Sequence, residues 1–134
     1  MIYIIEYLAV SAITPILLIP IEELLPYPYL IEEIVIFLLV RKLAKKKYNC
    51  WHATIAGGAL FTLTESFLYL PNIISSSGDI NVLLERLAYT GILHIGTGLG
   101  MFFGNRKSNT WGIISLIAAM IVHYLFNWFW INKG

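Results

Sequence analysis

Charge is scarce in this sequence. Asp, Glu, Lys and Arg make up 13% of its 134 residues, about half the share found in a typical soluble domain. Apolar residues make up 58%, and the mean hydropathy is +0.75. A water-soluble fold could not cover so much apolar surface. The net charge of +1 gives no basic face for nucleic acid, so no nucleic-acid partner is expected. The single cysteine, Cys50, excludes an intrachain disulfide and leaves the redox compartment open. Met1 to Val10 contains no Lys or Arg. It therefore lacks the basic opening of a cleaved signal peptide, and the first apolar run reads as a retained helix. No segment alternates as a barrel strand does, which leaves an all-α class. Gly-x-Ser-x-Gly is absent and Cys50 falls in a loop, so a serine or cysteine nucleophile is not favoured.

The sequence does contain about five apolar runs of membrane-spanning length, roughly 20 residues each. They run from near Ile2 to Ile19, Tyr27 to Leu43, Trp51 to Leu70, Val82 to Phe103, and Trp111 to Ile131. Pro71 is expected to stop the third. The Ser75–Asp79 stretch reads as a turn-forming loop. The expected fold is a polytopic membrane helical bundle, one domain over 1–134, with its motif-bearing helices at about 28–130. Arg41, Lys42, Lys45, Lys46 and Lys47 follow the second run, and Arg106 and Lys107 follow the fourth. Alternate loops lie on one side of the membrane, and only Arg86 and Lys133 fall on the other. The positive-inside rule then puts the N-terminus in the cytoplasm and the C-terminus outside. Gly96, Gly100 and Gly104 repeat along one face of the fourth run, a pattern that lets helix backbones pack closely.

Polar residues interrupt the apolar runs at Glu32, Glu33, Glu65, His94, His123 and Asn127. A charge at a helix centre costs about 2.5–3.5 kcal/mol on insertion, so three glutamates need partners. At 1.5 Å per residue, Glu33 lies about 12 Å deep, His94 about 16 Å, and Glu65 and His123 about 20 Å. Four helices thus carry ionisable groups at similar height. His123 and Asn127 share a helix face, and Arg86, Thr90 and His94 share another. Glu32 and Glu33 point about 100° apart, so at most one is expected to face a common centre directly. Glu22 and Glu23 read as solvated carboxylates at the outer boundary.

Peptide hydrolysis needs a base to activate water, a donor for the oxyanion and an acid for the leaving amine. A glutamate beside a histidine can serve as the base. An Asn amide sharing a face with a His can donate to an oxyanion. The same acids and histidines could instead ligate a metal such as zinc. Against that, His-Glu-x-x-His and the Glu-x-x-His of bundle di-iron sites are both missing. Proton or ion transport is a third use of intramembrane acids, although no inverted repeat is visible.

In order along the chain stand Glu32-Glu33, then Phe61-Thr62-Leu63-Thr64-Glu65, then His94 with glycines after it, then His123-Tyr124-Leu125-Phe126-Asn127. Their order, spacing and placement on successive helices resemble the PrsW family of membrane proteases. That family is grouped with the CAAX prenyl-proteases and bacteriocin-immunity proteins as glutamic-type intramembrane peptidases. The resemblance runs from about Pro28 to Phe129. Phe-x-x-x-Glu, where CAAX proteases usually have Phe-x-x-x-His, points to the PrsW branch. The resemblance implies a membrane-bound protein or peptide substrate. No cofactor is expected, because two core histidines and no cysteine at depth leave the carboxylates to complete a zinc shell. It implies that Glu32 activates water with help from Glu65 or His94, that Glu33 supports the site, and that His123 and Asn127 form the oxyanion side. Arg86 also fits the pattern. Glu22-Glu23 offers a second pair that could fill the first motif. The family usually has Lys or Arg three or four residues after its glutamate pair, where this chain has Ile36 and Phe37. The chain is also short for the family.

Overall fold

The computed structural model describes residues 2–22, 24–25, 27–46, 49–76 and 79–132; for 22, 76 and 130–132 it describes the backbone alone. Five helices follow in order: α1 Ile2–Glu22, α2 Pro28–Ala44, α3 Trp51–Ser76, α4 Ile80–Lys107 and α5 Asn109–Asn132. There is no strand among the described residues. α1, α3, α4 and α5 are each long and apolar enough to cross a bilayer. α2 has 17 residues and carries Glu32, Glu33, Arg41 and Lys42, and it does not meet that test on its own. It is the helix most dependent on the bundle, because its acids are buried there.

Local chemistry sets the helix ends. Pro28 opens α2 in the first turn, where its missing N–H costs nothing. Arg41 and Lys42 in the last turn of α2 complement the negative end of its dipole. Asp79 caps α4 by accepting from the Asn81 N–H at 2.8 Å. α4 and α5 are joined by Ser108 alone. Its extended backbone (φ −168°, ψ 167°) breaks the helix, and its N–H still donates to the Gly104 carbonyl. Its hydroxyl accepts from the Trp111 N–H at 3.2 Å. One serine thus ends one helix and caps the next.

Three sequence expectations need correction. Pro71 does not stop α3, which continues to Ser76. A membrane helix tolerates proline when its neighbours satisfy the freed carbonyl. Ser75 and Ser76 are therefore helical, and Arg106 and Lys107 lie in the last turn of α4 and not in a loop. The glycine face packs at one position only. A Cβ at Gly104 would lie 2.6 Å from the Ser115 hydroxyl oxygen and 2.8 Å from the Trp111 carbonyl, whereas at Gly96 and Gly100 it would meet nothing within 4 Å. Glu23, Lys47, Ser77, Gly78 and Lys133, and the Glu22 side chain, lie outside the described residues.

α4 packs against α2, α3 and α5, while α1 covers α2 and α3. The core is laid down by Val40, Met101 and Phe102, all fully buried, with Phe37, Leu43 and Phe61 around them. Leu17, Phe67, Ile92 and Phe129 point outward, as lipid-facing side chains do. Arg41 donates to the Asn109 side chain at 3.2 Å. This bond ties the end of α2 to the start of α5, so the basic segments after α2 and at the end of α4 share one end of the bundle.

Candidate active site between the last four helices

Glu32 and Glu33 on α2, Glu65 on α3, Arg86 and His94 on α4, and His123 on α5 meet in one cluster. Glu33 and His94 are almost wholly enclosed (0% and 1% exposed), and Glu32 and His123 are buried too. On one side, the Glu65 carboxylate is held by two partners. The Arg86 guanidinium donates to its Oε1 at 3.0 Å, and His94 Nε2 lies 2.9 Å from its Oε2. Arg86 and His94 reach the same carboxylate because they share a face of α4. Between them Thr90 accepts from the Thr62 hydroxyl through its carbonyl, at 3.4 Å. The Arg86 guanidinium also lies over the Tyr69 ring at 4.0 Å.

On the other side, His123 lies between the two neighbouring acids of α2. Its Nδ1 is 2.8 Å from Glu33 Oε1, and its Nε2 is 3.5 Å from Glu32 Oε2. Of the pair, Glu32 alone lines the cavity, while Glu33 pairs with His123 of the neighbouring α5. The 100° between successive side chains is spanned by a ring that offers a nitrogen at each end. The two halves touch through their imidazoles, whose centroids are 5.5 Å apart at 79°. Phe61 lies against His94 at 4.6 Å, and Tyr29 lies against His123 at 5.8 Å.

A neutral imidazole has one N–H. His123 has a carboxylate oxygen near each nitrogen, within hydrogen-bond distance at Glu33 and farther off at Glu32, so whichever nitrogen bears hydrogen points at an acid. The cluster sets three carboxyl groups against one guanidinium and two imidazoles.

A cavity of about 430 Å³ reaches this cluster from the end of the bundle where α1 finishes and α2 begins. Pro15 and Ile19 of α1, Pro28 of α2 and Leu68 of α3 form apolar walls, and Glu32 and Glu65 supply the acids. Asn127 is half-buried, its side chain makes no hydrogen bond among the described residues, and it does not line this cavity. Ile36 and Phe37, where the family usually carries a cation, are buried in the core. The permanent positive charge of the cluster comes from Arg86 on α4. Tyr69 is the contact that sequence reasoning missed; its i+4 spacing from Glu65 was the available signal. Among the described residues no group of three or more His, Cys, Asp or Glu is disposed to hold a metal ion.

The fold is that of a multi-pass helical membrane bundle with buried acid–imidazole pairs. No family model matches the chain, and neither a curated protein nor a solved structure matches it.

Proposed function

We propose that this protein is an intramembrane endopeptidase, cleaving membrane-associated protein substrates with a glutamate-activated water. The observation that carries the reading is that Glu32 and Glu65 line one apolar-walled cavity, each backed by a buried histidine. Glu32 takes a proton from water, and the oxygen adds to the peptide carbonyl carbon. As the C–N bond breaks, the proton passes to the amine nitrogen. Glu65 holds the water, and Arg86 and His94 orient its carboxylate. His123 is fixed from behind by Glu33 and braces Glu32; the oxyanion role that the resemblance to PrsW proteases implies for His123 and Asn127 requires bound substrate to turn these side chains toward the cavity, which neither lines. The basic end of the bundle faces the cytoplasm in this reading, which puts the N-terminus inside, the C-terminus outside and the cavity mouth on the outer side.

The test uses purified protein in lipid nanodiscs with a panel of membrane-anchored peptides read by mass spectrometry. Glu32→Gln should lower cleavage by about 10²-fold or more, the scale of a lost general base, while thermal unfolding stays close to wild type. Glu22→Gln should cleave normally, and chelation should leave the rate unchanged. Loss with Glu22→Gln and retention with Glu32→Gln would replace the pair. Activity lost on chelation and restored only by near-stoichiometric zinc would make the acids metal ligands. The chain of buried groups from Glu65 through His94 and His123 to Glu33 favours one other use, a proton relay. In that case Glu32-dependent proton flux into liposomes would appear without cleavage.

A further inference from the structure

A cavity of about 630 Å³ lies far from the acid–histidine cluster, between the start of α1 and the end of α2. Its wall has two parts. Val10 and Leu39 form an apolar trench, and Lys42, Lys45 and Lys46 stand at its rim. Val10 is seven positions along α1 from Tyr3, so the trench runs roughly 10 Å from the basic end toward the middle of the bundle.

The rim is short of negative charge. All three lysines are exposed, and none forms a salt bridge with a described residue. Lys46 instead has its ammonium over the Tyr3 ring at 5.1 Å. Glu6 lines the same cavity but pairs with none of them. Three cations and one carboxylate at the mouth of an apolar trench call for a ligand with an anionic head and a hydrocarbon body. A free phosphate would leave Val10 and Leu39 bare. A zwitterionic lipid would bring its own cation to the lysines.

We propose that this trench is a binding site for one anionic phospholipid, its phosphate among Lys42, Lys45 and Lys46 and an acyl chain along Val10 and Leu39. The site does not depend on the peptidase reading. Basic pockets at helix ends take anionic headgroups, and each lysine near the surface contributes about fivefold in affinity.

Native mass spectrometry of the full chain, released from detergent with added phosphatidylglycerol or phosphatidylcholine, tests it. Phosphatidylglycerol should remain as a discrete one-to-one adduct, and phosphatidylcholine should not. Lys42→Gln with Lys45→Gln and Lys46→Gln should lower retention by roughly a hundredfold. These side chains are exposed, and an unchanged unfolding temperature would show that the fold is kept. Val10→Phe, which fills the trench without touching charge, should also lower retention. Inorganic phosphate in excess should not compete. Equal retention of both lipids, no effect of the lysine substitutions, or displacement by inorganic phosphate would each overturn the proposal.

Discussion

Removing the His123 ring exposes the energetics of the site without any assumption about catalysis. His123 Nδ1 sits 2.8 Å from Glu33 Oε1, and Glu33 is 0% exposed. His123→Ala leaves that carboxylate enclosed with no hydrogen-bond partner among the described residues. Breaking one side of a buried pair costs about 3–5 kcal/mol. A charge held at a helix centre gives about 2.5–3.5 kcal/mol by a separate route. Glu33→Gln keeps the shape and a neutral hydrogen bond, and should cost only about 1–2 kcal/mol. The deciding variant is the double one, His123→Ala with Glu33→Leu. It removes the stranded charge, so it should be more stable than His123→Ala alone by about 2 kcal/mol, a coupling typical of groups in contact. Unfolding in lipid bicelles, followed by circular dichroism, measures the wild type, these three variants and Glu33→Leu alone. A double variant as unstable as the sum of the single ones would refute the buried-pair reasoning, as would a His123→Ala loss below about 1 kcal/mol.

Two further outcomes follow from the packing and the topology. Gly104→Ala should destabilise the bundle by about 1–3 kcal/mol, because its Cβ would press on Ser115 and the Trp111 carbonyl; Gly100→Ala, facing open space, should be neutral or slightly stabilising in the same thermal unfolding assay. In a Cys50→Ala background, an impermeant maleimide should label Ser75→Cys from outside the cell and Ser108→Cys only after permeabilisation. The reverse pattern would invert the orientation without disturbing the cluster.

Much of this fold was readable from the sequence. Helix number and order follow from the length of the apolar runs, which only a bilayer-sized helix can use. The common level of Glu65, His94 and His123 along the bundle follows from helical rise, and the shared face of Arg86 and His94 from i+4 periodicity twice over. What sequence could not supply was the direction from which each partner comes. Which of Glu32 and Glu33 pairs with His123 depends on where α5 lies relative to α2, and local spacing contains nothing about that. Pro71 shows a related limit. Its effect on a helix in water is known, but whether neighbours absorb the lost hydrogen bond is a property of the bundle. The glycines of α4 show a third. A repeat every four residues marks a face that permits close approach, and only the splay of α4 and α5 away from Ser108 decides how far along the approach continues.

That single-residue joint gives the α4–α5 hairpin the character of a calliper. His94 and His123 lie nearly equal distances along its two arms, about 21 and 22 Å from Ser108, and their rings meet at the same level. An extra residue in either arm would turn one histidine by about 100° and raise it by about 1.5 Å, taking it off its carboxylate. The same residue added at the joint would leave both arms in register, within the limits of how far the joint can open. Length variation in proteins built on this plan is therefore expected to gather at the joint and at the outer ends of the arms, while the stretches between Ser108 and each histidine hold a fixed count.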